Sequence, residues 1–375
     1  MKQLIFLLYT SFLLTITFLS YYFVDPNLPY LHWFYQHFLL TTQILKISVL
    51  FFFILGLYGF YLGFLWLYSL KRISPKDCKK LLVISIVCLF FAYPAIFSYD
   101  IFNYVATAKV SYFYKENPYV LRPIDFTNDP MLLFLHASNK TALYGPIWIL
   151  FTSIPYIFGG GNFLLTLFLF KALVVFFYIL LLYVLYKFSG SYYTLLFFGL
   201  NPLVLIETIV SGHNDIVMLA LALCSLYFFT KKRWGSSILL YLFSVFIKYA
   251  TLVLLPVIFA LNVLNIQKKD QQQVLIRWSF YMMFLVFLFS FFREEIYPWY
   301  AIWFLPFISM SANKTERMLV ILFTFCLELR YFPYLILLTH FGASPFLKTT
   351  VTFAPVVIVI IILLFKSLWE KRLVQ

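Results

Sequence analysis

Apolar positions in this chain follow neither the two-residue alternation of a half-buried strand nor the narrow stripe of a surface helix. They run on in long blocks, and the polar residues gather between the blocks. A helix needs about 20 mostly apolar residues to cross roughly 30 Å of hydrocarbon. The pattern predicts spans over 4–23, 46–70, 81–97, 145–158, 163–187, 192–211, 216–230, 236–262, 275–292, 301–311, 318–333 and 350–367. The expected fold class is all-α, a polytopic transmembrane helical bundle of roughly 10–12 spans. It is read as one integral membrane domain over residues 1–375, with no internal repeat. The first block, Leu4 to Phe23, is longer than a signal-peptide core and ends in Tyr21-Tyr22-Phe23 without a small-residue cleavage site, so a retained span is expected.

Composition agrees with lipid as the solvent. Of 375 residues, 63% are hydrophobic and 11% charged, a balance foreign to soluble domains. The net charge of +14 points to orientation in a membrane, and no nucleic-acid partner is expected, because the positives cluster in short loops. The loop Lys71 to Lys80 carries five positives and one negative, so it is expected in the cytoplasm, along with Lys268-Lys269 and the tail from Lys366 to Arg372. Both termini should then be cytoplasmic, in a multi-pass protein of a bacterial-type plasma membrane. One span after the basic loop, Ser98 emerges on the outer face, at the start of the longest stretch between spans, 98–144. One part of the topology stays open. If every block from 145 to 262 crosses, Lys231-Lys232-Arg233 falls outside; if 236–262 breaks into two half-helices around Lys248 and 145–158 fails to cross, it falls inside. The side on which Gly212-His213-Asn214-Asp215 lies depends on that choice.

Carboxylates are scarce, 14 in all, and most sit beside basic residues or span ends. Asp100 is different, since the charge-free run Leu81 to Phe97 delivers it straight to the membrane surface. A helix starting there sets Asp100, Asn103 and Tyr104 on one face at i, i+3 and i+4, with Tyr99 adjacent. Further along, Asp129-Pro130 reads as the cap of an interfacial helix. Asp215 is either a cap for the next span or a functional group, and Glu207 lies inside a span, where carboxylates are functional by default. Lys248, amid apolar residues, either snorkels from a half-helix junction or binds an anion. Trp299 and Tyr300, after Arg293, read as an interfacial belt or a sugar platform. The four cysteines and five histidines lack metal-ligand spacing. No metal site or cofactor is called for, with a divalent metal left open.

Taken in order, Ser98-Tyr99-Asp100-Ile101-Phe102-Asn103-Tyr104, Asn117-Pro118-Tyr119, Tyr144-Gly145-Pro146-Ile147-Trp148, Asn201-Pro202-Leu203 with Gly212-His213-Asn214-Asp215, Lys248, and Pro298-Trp299-Tyr300 with Trp303 form a series. It resembles the bacterial polyprenol-phosphate-mannose-dependent mannosyltransferases of the GT-C class, over about residues 80–310. The chain differs from the longer actinobacterial members in being shorter and richer in Phe and Tyr. The resemblance implies a GT-C-like bundle, a polyprenyl-phosphate sugar donor presented on the outer leaflet, and inverting transfer to a glycolipid or glycan acceptor. It also implies that the acidic residue of the first large outer loop, here Asp100, is the catalytic base. The expected substrate-binding residues are Tyr99, Asn103, Tyr104, Tyr144, His213, Asn214, Asp215, Lys248, Arg293, Trp299 and Tyr300. The departing phosphate calls for a cation. Arg293, Lys248, Arg122 and Lys140 are the candidates. A transporter or lipid flippase is the alternative kept beside this reading, and a non-catalytic scaffold ranks behind both because it leaves Asp100 and Asp215 unexplained.

Overall fold

The computed structural model describes residues 2–38, 43–263, 268–292, 295–337 and 344–374. Among them there are helices and turns but no strand. Six helices are long and apolar enough to cross a membrane, seven counting one bent pair, and four shorter apolar helices pack among them. This is the all-α membrane bundle that the blocks of apolar residues predict, but with six or seven crossing helices among the described residues in place of roughly 10–12, because several of the blocks fold as short or broken helices packed between the long ones.

The labelled helices are α1 (Lys2–Ser20), α2 (Gln43–Ser69), α3 (Pro75–Phe90), α4 (Asp100–Tyr112), α5 (Pro146–Phe158), α6 (Phe163–Ser189) and α7 (Tyr192–Gly199). After them come α8 (Asp215–Thr230), α9 (Trp234–Val245), α10 (Leu254–Val263), α11 (Lys268–Phe289), α12 (Lys314–Leu329), α13 (Phe332–Leu337) and α14 (Pro345–Val374). The sequence-predicted spans 81–97 and 301–311 take different forms. The first ends as a helix at Phe90 and continues irregularly to Asp100. The second is a 3-10 segment, Pro298–Trp303, followed by the five-residue helix Leu305–Ser309. Both segments are buried among other helices, so their irregular backbone is shielded from lipid.

Two ends of the bundle can be told apart by contacts. At the basic end, Ser74 caps α3 in a reciprocal box with Asp77, and Asp77 also pairs with Lys2. Lys79 lies 5.9 Å from the Tyr192 ring, the rings of Phe188 and Tyr227 are 5.5 Å apart, and Gln272 donates to the Phe188 carbonyl at 2.6 Å. The N-terminus, the Lys71–Lys80 loop, the turn after α6, the turn at Lys231–Arg233 and the start of α11 therefore gather on one side. Asp100, His213, Lys248 and Glu295 gather on the other.

That arrangement answers the open topology. The bent pair, α7 with Pro202–Val210 at 61°, rises to His213 at the Asp100 end. Helix α8 runs about 24 Å back at 1.5 Å per residue, which returns Lys231-Lys232-Arg233 to the basic end. The block 236–262 does break beside Lys248, between α9 and a 3-10 turn, Tyr249–Val253. Helix α5 stays at the Asp100 end. Its start docks on the 246–247 turn, and its Ile149 carbonyl accepts from Tyr112 of α4 at 2.6 Å. Just beyond its end, the ring of Phe163 sits 6.0 Å from that of Phe102. The expected interfacial helix after Asp129 is a single 3-10 turn, Pro130–Leu133, capped by Asp129 as predicted.

Candidate active site

Helix α4 begins at Asp100 itself, so the carboxylate sits in the first turn, where the exposed N–H groups and the helix dipole favour negative charge. Its side chain is 26% exposed, to a cavity of about 410 Å³ that Asn103, Tyr144, Lys248, Trp299, Tyr300 and Trp303 also line. The Tyr144 hydroxyl donates to Asp100 Oδ2 at 3.4 Å, and His213 Nδ1 lies 3.5 Å from the same oxygen.

His213 is brought there by a left-handed turn that favours glycine. Gly212 has φ +74, and a Cβ at that position would stand 2.9 Å from Ile101 Cδ1. On its other side, His213 Nε2 lies 3.2 Å from Glu207 Oε2, and Tyr331 donates to Glu207 Oε1 at 2.7 Å. Glu207 belongs to a π-helical stretch, Leu205–Val210, whose widened turn aims the carboxylate inward. The result is a line Asp100–His213–Glu207 with an imidazole between two carboxylates. Burial opposes charge on His213, but its contacts with Asp100 and Glu207 prevail and raise its pKa to about 9. For Asp100, burial pushes upward, and His213, the Lys248 charge and the Tyr144 hydroxyl together hold it below the ordinary carboxylate value.

A second pairing forms the far wall. Lys248 Nζ lies 2.7 Å from Asp215 Oδ2, and Trp303 Nε1 donates to Asp215 Oδ1 at 2.6 Å. The ammonium also faces the rings of Tyr144 at 5.7 Å and Tyr300 at 5.5 Å. Its position depends on Gly145, whose N–H donates to the Ile247 carbonyl at 3.0 Å. A Cβ on Gly145 would lie 2.0 Å from the Phe246 carbonyl oxygen. Aromatic faces complete the cavity: Trp299 stacks on Tyr297 at 4.4 Å and Tyr300 on Trp303 at 4.2 Å, while His213, buried behind the wall, backs Trp299 at 4.1 Å.

The comparison with known families fits this geometry. Residues 8–264 match the family described as alpha-(1->6)-mannopyranosyltransferase, N-terminal domain, the MptA_B family. The chain belongs to that family. It is accordingly a mannosyltransferase, a membrane glycosyltransferase that needs a sugar donor and a glycan acceptor. No curated protein and no solved structure matches the chain.

Within this mannosyltransferase the sequence-predicted residues divide into layers. Asp100, Asn103, Tyr144, Lys248, Trp299 and Tyr300 face one cavity. Tyr104, His213, Asn214 and Asp215 are buried behind it and do not line it; the Asn214 N–H donates to the Tyr104 hydroxyl at 3.4 Å. Tyr99 turns away, stacking on His136 at 3.6 Å and donating to Asp25 at 3.4 Å. Arg293 lies outside the described residues. Arg122 pairs with Asp125 on the surface at 2.8 Å, away from the cavity, whereas Lys140 lines it. Sequence reasoning flags Glu207 without adding it to the site, and it misses Tyr331, which donates to Glu207. Tyr331, one of 29 tyrosines in the chain, carries no local signal.

Proposed function

We propose that the protein moves mannose from a polyprenyl-phosphate donor to a lipid-linked or glycan acceptor, with inversion, on the outer face of a bacterial-type plasma membrane. Asp100 acts as general base. It takes the proton of the acceptor hydroxyl as that oxygen bonds to the anomeric carbon. The bond from that carbon to the phosphate oxygen breaks, and the polyprenyl phosphate leaves with the electron pair. A phosphate leaving group carries its own negative charge away, so no partner acid of the glycosidase kind is required.

The observation that carries this reading is the setting of Asp100 in a chain of a mannosyltransferase family. Its pKa is held below the ordinary carboxylate value, it is anchored by His213 and Tyr144, and it opens to a cavity walled by aromatic faces. Clustering of the basic loops at the opposite end supports the outer-face assignment through the positive-inside rule. Family membership selects transfer over the transport alternative. The scheme calls on no cofactor, so chelating divalent cations is expected to leave turnover unchanged.

The test is purified protein in nanodiscs supplied with radiolabelled mannosyl polyprenyl phosphate and a panel of mannolipid acceptors. Labelled, chain-extended product is expected. Transfer from a nucleotide-linked mannose instead of the lipid donor would overturn the donor assignment.

A further inference from the structure

Behind the Tyr297–Trp299 wall lies a second cavity of about 540 Å³, and those two side chains line both. Its charged lining is Lys46, Arg330 and Lys348 against Asp25 and Glu295, with His136 at the edge. Among the described residues its cations outnumber its carboxylates, and Asp25 is engaged by its neighbours, accepting from Tyr99 at 3.4 Å and facing His136 at 3.5 Å. Among the described residues, Glu295 is shared by Lys348, at 3.2 Å, and Arg330, at 3.8 Å.

Arg330 is the telling residue. Its side chain is 4% exposed, and among the described residues the carboxylate it faces, Glu295, sits at 3.8 Å, the outer limit of an ion pair. One terminal nitrogen donates to the Thr352 hydroxyl at 3.3 Å, while Nε has no hydrogen-bond partner among the described residues. A guanidinium carries five N–H donors in a fork suited to carboxylate or phosphate oxygens. Buried next to a cavity with donors unmet, it is costly unless an anion completes it.

The cavity continues along Ile47 into an apolar groove of about 520 Å³ between α2, α13 and α14. Phe51, Phe52, Pro333, Ile336 and Val351 line the groove, and Phe52 and Ile336 are 68% and 58% exposed on the lipid-facing surface. A cationic pocket joined to a single apolar groove fits an amphiphile with one anionic head and one long hydrocarbon chain.

We infer that this cavity and groove hold the phosphate and chain of a polyprenyl monophosphate, with Arg330 and Lys348 as its phosphate ligands. The inference rests on the proposed function and deepens it, because it separates donor and acceptor by the Trp299 wall. Lys248 is a poor alternative anchor, since Asp215 already neutralises it at 2.7 Å. With the phosphate on one side of Trp299, the sugar reaches past its edge toward Asp100, and the acceptor enters from the Asp100 cavity. Base and leaving group then sit on opposite sides of the anomeric carbon, as in-line displacement requires.

Binding of decaprenyl monophosphate, free of sugar, to the full-length protein in nanodiscs tests the site without turnover. Arg330→Gln and Lys348→Gln are each expected to weaken binding by about tenfold or more, with Arg122→Gln unchanged. Decaprenol without phosphate should bind at least as weakly as these variants, and phosphatidylglycerol should not compete. Arg330 is buried, so thermal melting accompanies each variant; a folded Lys348→Gln suffices if Arg330→Gln does not fold. Unchanged affinity in the folded variants, or equal competition by phosphatidylglycerol, overturns the assignment. Tight phosphate-dependent binding with no mannosyl transfer to any acceptor would sink the proposed function and leave this site standing. Robust transfer whose donor KM ignores both substitutions would do the reverse.

Discussion

His213 Nδ1 stands 3.5 Å from Asp100 Oδ2, joining a turn between two membrane helices to the first turn of the outer-loop helix α4. The two residues are separated by more than a hundred positions, and the turn at Gly212 is what allows them to meet. Because His213 also faces Glu207 at 3.2 Å, its positive charge is held between two carboxylates. Asp100 is thereby oriented at the rim of the cavity, with its pKa held below the ordinary carboxylate value.

Asp100→Asn keeps the shape of the side chain and removes the base. Mannosyl transfer is expected to fall by about 10² to 10⁴-fold, the usual contribution of a general base, while decaprenyl monophosphate binding stays within about twofold. Single-turnover transfer and equilibrium binding measure the two quantities separately. Retained turnover would reject the base.

The raised pKa of His213 sets an alkaline limit. The folded protein holds this proton up to about pH 9, whereas an unfolded histidine releases it near about 6.5. Stability from the imidazolium is therefore complete below the unfolded value and is lost as pH rises through about 9. Activity should decline over the same alkaline range as Asp100 loses its cationic neighbour. A pH–rate profile of His213→Gln lacking that limb is the expected result; an unchanged limb would assign it to another group.

Asp215 is fully buried and its two oxygens are taken by Lys248 and Trp303. Asp215→Asn leaves the mostly buried ammonium without its counter-ion and should cost about 3 kcal/mol. Lys248→Met alone should cost a similar amount by stranding the carboxylate, and the double variant should recover much of the loss. Thermal melting of the four proteins in detergent gives the coupling; additive losses would mean that the pair does not interact as described.

At Gly145 the constraint is steric. A methyl group there would collide with the Phe246 carbonyl oxygen at 2.0 Å, a backbone atom with no rotamer to yield. Gly145→Ala should destabilise by about 1 to 3 kcal/mol and displace Lys248 from Asp215, lowering both melting temperature and transfer. Gly235→Ala, within helix α9 and with nothing within 4 Å of the added atom, should not lower melting and serves as the control.

Long apolar blocks are enough to make the chain a helical membrane protein, because lipid leaves the backbone little choice. The basic loops say which helix ends share a side. Asp100 stands out along the chain because a carboxylate at a span end must be solvated, paired or used for chemistry. Spacing along one helix likewise joins Asp100 to Asn103 and Tyr104. Everything that depends on long-range closure had to come from the packed bundle. The broken block around Lys248 and the short helix α5 look like spans in the sequence because length and hydropathy do not record bending. Tyr99 sits one residue from Asp100 yet faces the other cavity, since adjacent helical positions point about 100° apart. The imidazole between Asp100 and Glu207, the saturation of Asp215, and the cationic pocket at Arg330 and Lys348 each join residues from separate helices. No local pattern encodes such meetings, because they arise from how whole helices pack against one another.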